Sequence, residues 1–280
     1  MTTTLRPTGP TQQSADGART RRYDVCDNGR PVGTVTLSTA PSFGPATGVI
    51  DGLRVEEHRR RRGRAIIASL AAEEVLREWG CVEVCARIPA GNEPALRLAA
   101  VLGYTERSRN MERPTPAHVP ALPPGLVGRP MTAEEFVPWL ARLHEEYARE
   151  WAERGVPREQ ARLKSEGDHA RLLPQGLATP GVYIDVLERE EDGRALGHVW
   201  LSRSPAESGA TTGYVFYVEV GPEFRGRGYG RALMGLADGM ARSAGFDRIG
   251  LHVFTSNAPA RRLYESLGYE PTAHNLVKAL

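Results

Sequence analysis

The chain has few cysteines, almost no net charge and no long apolar run. Three cysteines among 280 residues cannot build a disulfide framework, so we expect a reducing, cytoplasmic environment. A formal net charge of +2 argues against a nucleic-acid partner bound through bulk electrostatic attraction. No stretch approaches the roughly 20 apolar residues of a membrane helix, and the amino terminus lacks the apolar core of a signal peptide. We therefore expect no membrane partner either.

The chain has only two lysines, Lys164 and Lys278, so arginine supplies nearly all of the positive charge. We attribute this bias to composition and not to a function. Hydrophobic residues make up 40% and charged residues 25% of the chain, which is ordinary for a globular protein. The length of 280 residues suggests about two domains.

The two domains that the length suggests are copies of one another. Two Arg/Gly-rich turns, which begin at Arg60 and Arg225, lie 165 positions apart in the sequence. The same spacing pairs Val55 with Val220, Gly80 with Gly245, Asn92 with Asn257, Pro94 with Pro259, Leu98 with Leu263, Gly103 with Gly268 and Tyr104 with Tyr269. A colinear series without gaps indicates a tandem repeat.

A proline-rich segment separates the repeats, with prolines at positions 114, 116, 120, 123 and 124. Proline fixes φ and removes a backbone donor, so this segment is expected to be a semi-extended linker. We predict a mostly flexible N-terminal segment with a possible first strand over residues 1–22, a first domain over 23–113, the linker over 114–124 and a second domain over 125–280.

The second repeat alternates strands and helices. Runs rich in β-branched and aromatic residues predict strands over 214–220 and 248–254, and apolar residues at helical spacing predict a helix pair over 133–154 and 158–172. The first repeat has no counterpart of this helix pair and is therefore truncated. The fold class is α/β, a mixed sheet with helices on its faces.

The Arg/Gly turn of the second repeat is a candidate anion site. Glycines permit open backbone conformations, and N–H groups at the start of the following helix attract phosphate oxygens. Arg225, Arg227 and Arg231 add positive charge, so a pyrophosphate is the natural occupant. Taken alone, such a turn is as readily structural, and the dinucleotide fingerprint G-x-G-x-x-G is not satisfied.

Two segments of the second repeat together resemble a known superfamily. Residues 218–230, which read VEVGPEFRGRGYG, resemble the acetyl-CoA-binding segment of the GCN5-related N-acetyltransferases (GNAT). Residues 251–269, from Leu251 to Tyr269, resemble the second signature of that superfamily. The resemblance covers 125–280 and, in the first repeat, roughly 23–113. It implies two tandem GNAT folds, of which the first is truncated.

The resemblance implies where acetyl-CoA, the acyl donor, binds. Its pantetheine arm lies between two splayed strands, with its amides on the backbone of Val218 and Val220. Asn257 bonds the donor near this arm, and Tyr264 protonates the departing thiolate. The pyrophosphate is held by Arg225, Gly226, Arg227, Gly228, Tyr229, Gly230 and Arg231. Each assignment has a structural alternative: Asn257 as a helix N-cap and Tyr264 as a core aromatic.

The proton acceptor is left open by the sequence. His252 occupies the position at which ribosomal-protein acetyltransferases of this superfamily carry a general-base glutamate, and its unperturbed pKa suits the role. Glu219 on the neighbouring strand and a chain of water molecules are the alternatives. The acidic residues Glu145, Glu146, Glu150 and Glu153 form either a solvated helix face or a surface that attracts a cationic acceptor.

The leading hypothesis is an acetyl-CoA-dependent N-acetyltransferase that acetylates a primary amine of a small molecule or peptide directly. The second repeat contains no cysteine, which disfavours an acyl-cysteine route, and we predict no metal site. The alternative is a non-catalytic protein that binds or senses acyl-CoA. In the first repeat, Ala99 stands opposite Tyr264 and Arg87 opposite His252; that repeat either binds a CoA without catalysis or serves as structure alone.

Overall fold

A computed structural model of the chain describes residues 2–14, 17–40, 46–153, 156–204 and 211–280. The chain divides into two compact units. Unit 1 contains Met1–Ser108, Glu153–Val156 and Ala273–Leu280, and unit 2 contains Arg109–Ala152 and Pro157–Thr272. Among the described residues, no helix is both long enough and apolar enough to cross a membrane.

Unit 1 is built on a sheet in the order β1-β3-β4-β5-β6-β13. Its elements from the first repeat are β1 (Thr3–Pro7), β2 (Gln12–Gln13), β3 (Arg19–Asp27), β4 (Arg30–Thr39), β5 (Thr47–Val55), α1 (Arg64–Glu78), β6 (Glu83–Pro89), α2 (Glu93–Val101) and the start of β7 (Thr105–Pro114). Ala68, Ala72 and Leu76 form the buried stripe of α1 and pack on the buried side chains of β3 and β4, as an amphipathic helix does on a sheet.

Unit 2 is built on a sheet in the order β7-β12-β11-β10-β9-β8. Its elements are β8 (Leu126–Pro130), α3 (Ala133–Glu153), α4 (Arg158–Leu172), β9 (Val182–Arg189), β10 (Ala195–Ser204), β11 (Thr212–Val220), α5 (Tyr229–Ser243), β12 (Arg248–Phe254) and α6 (Ala258–Ser266). The strand β13 (Glu270–Ala279) follows. The pairs β5–β6 and β11–β12 are parallel, and the sheet is therefore mixed, as predicted.

Two hydrophobic cores cover the two faces of the unit 2 sheet. On one face, Leu233, Met234 and Ala237 of α5 pack against inward side chains of β10 and β12. On the other face, Trp139 of α3 packs against Trp200 of β10. The helix pair α3–α4 is thus held to the sheet by aromatic burial. Between β1 and β3, the described residues of the first repeat contain only the short strand β2.

Part of the final strand of each repeat belongs to the unit formed mainly by the other repeat. Residues 273–279 of β13 pair antiparallel with β6 in unit 1, from Ala273 opposite Pro89 to Ala279 opposite Glu83. The last residues of β7 belong to unit 2, where Glu112 accepts a hydrogen bond from Arg248 of β12 at 3.0 Å. The two units therefore combine residues of both repeats, because strand pairing is a long-range property that local pattern does not encode. The predicted domains 23–113 and 125–280 divide the chain by its sequence repeat.

A buried charge cluster holds the incoming strand in unit 1. Glu73 of α1 is 1% exposed. Its carboxylate accepts hydrogen bonds from the Tyr104 hydroxyl at 3.1 Å and from Lys278 Nζ of β13 at 2.6 Å. Because a buried carboxylate is costly unless it is paired and hydrogen-bonded, Lys278 ties the end of the chain to α1.

Unit 2 contains the same cluster at positions 165 residues away. Asp238 of α5 is paired with Arg113 of β7, and the guanidinium of Arg113 lies 4.8 Å above the ring of Tyr269. Asp238 corresponds to Glu73, Tyr269 to Tyr104 and Arg113 to Lys278 by the repeat spacing. In both units, the basic side chain of the cluster therefore comes from the final strand of the other repeat.

The segment over residues 1–22, predicted as mostly flexible with a possible first strand, contains strands in its described part. Its described residues form β1, β2 and the beginning of β3, and β1 pairs antiparallel with β3 from Thr3 opposite Asp27 to Pro7 opposite Tyr23. The strand β1 forms because its backbone bonds to β3 along an edge of the unit 1 sheet.

Candidate functional site

A cleft opens in unit 2 where β11 and β12 stop pairing. Their parallel ladder joins Thr212–Val215 to Arg248–Leu251, yet β11 continues to Val220 and β12 to Phe254. Within the described ladders, the main chain of β11 after Val215 has no partner on its β12 side. Unpaired strand backbone is a ready template for an extended ligand with amide groups. The predicted pantetheine-binding residues Val218 and Val220 lie on this part of β11.

A β-bulge redirects β11 at the mouth of this cleft. Trp200 of β10 pairs with Tyr217 but Leu201 pairs with Val215, which leaves Phe216 as the additional residue. A bulge changes which side chains face each side of a strand. Val218 and Val220 consequently pack toward the α5 core. Tyr217 and Glu219, which alternate with them along the strand, point to the α3 side.

The predicted phosphate turn follows β11. Gly226 and Gly228 adopt positive φ angles of 78° and 86°, and Gly228 is the N-cap of α5. Within the described chain, the backbone N–H groups of residues 226–230 have no hydrogen-bond acceptor. This cradle of amides at a helix N-terminus fits the phosphate groups of a CoA.

The arginines of this turn divide into two kinds. Arg225 Nε donates to the Val220 carbonyl at 3.2 Å, and Arg231 donates to Ser266 Oγ at 2.6 Å. Both therefore brace the turn against neighbouring elements while keeping their charge. Arg227 is exposed between the two glycines, which makes its guanidinium the best placed of the three to contact a ligand.

Unit 1 keeps much of the same loop geometry. Arg60 Nε donates to the Val55 carbonyl at 2.9 Å, as Arg225 does to Val220, and Gly63 caps α1 at a φ of 72°. Arg61 stands where Gly226 does and holds a φ of 60°, a left-handed conformation that a side chain disfavours. Arg64, at the first position of α1, is buried against Asp27.

The loop after β12 carries Asn257 and leads to Tyr264. The Asn257 side chain accepts a hydrogen bond from Ala260 N at 3.2 Å and so caps α6, and Asn92 caps α2 in the same way. Tyr264 is 9% exposed, and burial raises the pKa of its hydroxyl. Within the described chain, this hydroxyl has no hydrogen-bond partner, so it keeps its proton and is not committed to another residue.

The two predicted side-chain bases lie in different surroundings. His252 is exposed on β12, with its ring edge-on to Phe254 at 4.9 Å. Glu219 lies on β11 opposite His198, whose Nδ1 is 3.8 Å from Glu219 Oε2. The adjacent His198 lowers the pKa of Glu219, with further contributions from the Tyr217 hydroxyl and Arg142, against the opposing effect of burial. Glu219 is thus ionised at neutral pH.

Three side chains beside Glu219, those of His198, Tyr217 and Glu146, were not predicted as catalytic or donor-binding residues. Of these, the sequence analysis named only Glu146, as one of the acidic residues of a helix face. The Tyr217 hydroxyl donates to Glu146 Oε2 at 2.9 Å, so Glu146 is partly buried whereas Glu145 is exposed. The spacing of Val215, Val218 and Val220 breaks strict alternation and is the sequence signal that could have revealed the bulge and, with it, the side to which Tyr217 points.

An aromatic wall stands behind this polar group. The ring of Tyr217 meets Trp139 edge-on at 6.0 Å, and Trp139 meets Trp200 edge-on at 6.1 Å. Trp200 stacks on Phe216 at 5.0 Å. The low polarity of these buried rings strengthens electrostatic interactions at the adjoining carboxylates. Burial is also the main reason why the pKa of Tyr217 is raised, followed by the charges of Glu219 and Glu146.

The cysteines of unit 1 have the properties of packing residues. Cys81 is buried, and burial raises the pKa of Cys85 to about 11. A thiol with a raised pKa forms little of the reactive thiolate. In the described part of the chain, no group of three or more His, Cys, Asp or Glu side chains has the arrangement of a metal site.

Comparison with known proteins bears on both repeats. The model of the acetyltransferase (GNAT) family matches residues 4–104 and 140–269. The uncharacterized N-acetyltransferase YycN of Bacillus subtilis is 34% identical over 145 residues, which are 51% of this chain and 91% of that protein. A mycothiol acetyltransferase of Thermomonospora curvata is 30% identical over 261 residues, which are 90% of this chain and 79% of the relative.

Solved structures agree on the architecture. A tandem GNAT protein from the clavulanic acid biosynthesis pathway superposes with a TM-score of 0.53 at 20% identity, over 94% of this chain and 83% of that protein. A GCN5-related N-acetyltransferase from Sphaerobacter thermophilus gives a TM-score of 0.60 at 18% identity, over 92% and 80%. At these identities the likeness concerns the fold alone, and it confirms the predicted pair of GNAT folds.

Proposed function

Because the chain belongs to the acetyltransferase (GNAT) family and is an N-acetyltransferase, we propose that it acetylates a primary amine of a small molecule or peptide directly, at a single active site in unit 2. Enzymes of this family take the acetyl group from acetyl-CoA. The observation that carries the assignment to unit 2 is Tyr264, a buried tyrosine whose hydroxyl has no partner in the described chain. Unit 1 has Ala99 at the corresponding position and lacks this proton donor.

The donor is held by main-chain groups. In this proposal the unpaired backbone of β11 around Val218 and Val220 binds the pantetheine amides, and the amides of residues 226–230 with Arg227 bind the pyrophosphate. When bound, acetyl-CoA supplies a thioester carbonyl that is susceptible to attack. Holding two reactants in the required geometry can contribute about 7–11 kcal/mol, so positioning by the cleft outweighs any single side chain.

Glu219 is the proton acceptor in this mechanism. An alkylammonium must lose a proton before its nitrogen can attack, and the ionised Glu219 carboxylate removes it at Oε1 or Oε2. The lowered pKa of Glu219 keeps its carboxylate ionised at neutral pH and therefore free to accept a proton. Exposed His252 is the competing assignment. Attack of the nitrogen on the thioester carbonyl forms the C–N bond, and the C–S bond then breaks. Tyr264 gives its hydroxyl proton to the departing sulfur and is restored by the second proton that the nitrogen loses as it becomes an amide. The raised pKa of Tyr264 keeps its proton in place until the sulfur becomes anionic.

The test is Tyr264→Phe, with acetyl-CoA consumption followed as free thiol across amines, aminoglycosides, polyamines and peptides. We expect kcat to fall about 10²- to 10⁴-fold, while the Kd for acetyl-CoA stays within about twofold. Tyr269→Phe is the matched control, because Tyr269 is equally buried and its ring lies 5.8 Å away; its kcat should be unchanged. Undiminished turnover in Tyr264→Phe would remove the proton-donor assignment. Donor binding without thiol release from any acceptor would favour the non-catalytic alternative.

A further inference from the structure

A cavity of about 370 Å³ lies in unit 2 beside the proline-rich linker. Its lining comes from three elements: the linker, with Val119 and Leu122, the helix α5, and the strand β9. Among the described residues, none that lines this cavity belongs to β11, β12 or the phosphate turn. A volume of this size and a mostly apolar lining are typical of small-molecule sites. We call this space the linker cavity.

One carboxylate, that of Asp185, is part of this apolar lining. Tyr183 and Asp185 are two positions apart on β9 and therefore face the same side of the sheet, the side on which Tyr183 packs against the α5 core. Asp185 is partly buried, and its carboxylate has neither a hydrogen bond nor an ion pair with any described residue. Burial raises the pKa of Asp185. Because buried charges are ordinarily paired, this carboxylate is available to a ligand of opposite charge.

The basic side chains of the surrounding elements are engaged elsewhere. Arg242 of α5 donates to a carbonyl of the linker, and Arg203 of β10 lies over the ring of Phe246 at 5.4 Å. Arg129 of β8 pairs with two glutamates. None of these three arginines neutralises Asp185, so a cationic ligand would not have to displace them.

The helix α5 contributes glycines to the linker cavity. Gly235 and Gly239 lie about one turn apart in α5, and a Cβ atom added at either position would meet no neighbouring group within 4 Å. Glycine inside a helix is less stable than alanine, and close packing does not require it at these two positions. Both glycines widen the space between α5 and the linker, which leaves room for the apolar part of a ligand.

We propose that the linker cavity binds an organic cation with an apolar body. The cation lies against the Asp185 carboxylate and the ring of Tyr183, because an aromatic face also attracts a cation. The apolar body occupies the space between Leu122 of the linker and the glycines of α5. The charge of Asp185 determines the class of ligand, since an anion or a neutral molecule would leave this carboxylate without a counter-charge. This site is independent of the acetyl transfer proposed above.

Binding of benzyltrimethylammonium, a quaternary cation that cannot be acetylated, tests the site. Calorimetry on the full chain at pH 7 should give a Kd below about 1 mM. Benzyl alcohol shares the ring but has no charge, and Asp185→Asn keeps the shape of the side chain but removes its charge; each change should weaken binding at least about tenfold. Asp192→Asn is the matched control, because Asp192 is an exposed acid in the turn after β9, and it should bind the cation as the unaltered protein does.

Gly239→Leu tests the cavity without altering its charge. The larger side chain fills the space beside α5, so this variant should lose the cation while circular dichroism shows an intact fold. Absence of binding at about 10 mM cation would overturn the proposal, and so would unchanged binding in Asp185→Asn or an equal loss in Asp192→Asn. Equal affinity for benzyl alcohol would refute the cationic class of ligand. Thiol release, which reports acetyl transfer, is measured separately and does not depend on these results.

Discussion

Arg113→Met should destabilise unit 2 far more than the loss of an ordinary surface charge. The side chains of Arg113 and Asp238 are 11% and 7% exposed, so the substitution leaves a buried carboxylate without its cation. Breaking a buried pair in this way costs about 3–5 kcal/mol. Methionine retains much of the length and apolar surface of the arginine stem, which confines the effect to the lost charge.

Protonation of Asp238 sets a ceiling on this cost. Protonating a carboxylate of ordinary pKa costs a free energy of about 4 kcal/mol at pH 7 and about 1.5 kcal/mol at pH 5. Burial already raises the pKa of Asp238, against the opposing effect of Arg113, so removal of Arg113 raises that pKa further. A raised folded-state pKa gives stability that is present at low pH and lost as the pH rises. The deficit of the variant should therefore grow from pH 5 to pH 7.

Urea unfolding at pH 5 and pH 7, followed by circular dichroism, measures both quantities. Arg162→Met is the control, because Arg162 pairs with Glu159 at 2.7 Å but is 52% exposed; the stability of this variant should stay close to that of the unaltered protein. Replacing both partners, as in Arg113→Met with Asp238→Leu, should recover much of the stability because no buried charge is left unpaired. A deficit below about 1 kcal/mol at pH 7, or one that does not depend on pH, would refute this account of the cluster.

Two further predictions concern donor binding and a lone carboxylate. Gly228→Ala should weaken acetyl-CoA binding by about 5- to 30-fold in calorimetry, because a residue other than glycine in the left-handed conformation costs about 1–2 kcal/mol. Gly235→Ala is the control: Gly235 lies inside α5 with open space around it, and this variant should bind acetyl-CoA normally. Burial raises the pKa of Asp185, which has no ion pair in the described chain. Asp185→Asn should therefore raise the melting temperature at pH 7, and the gain should disappear near pH 3, where aspartic acid is neutral; a gain that persists there contradicts this reading.

Local elements were predictable from the sequence because their signals are local. The strand Arg248–Phe254 and the helix Arg158–Leu172 have the predicted bounds, since glycine, proline and apolar spacing determine where such elements begin and end. The strand exchange was not predictable, because β13 carries the same alternation whichever strand it pairs with. The partnership of Tyr217 with Glu146 depends on a bulge and on the packing of α3, and neither follows from either segment alone.

The exchange of final strands gives the first repeat a part in folding that does not depend on any chemistry of its own. Each sheet needs a strand that the other half of the chain supplies, so deletion of either half would leave the survivor with an open edge and an unpaired buried acid. Because both repeats lie on one chain, each half always has the strand that it needs close by, and completion of the two sheets does not depend on protein concentration.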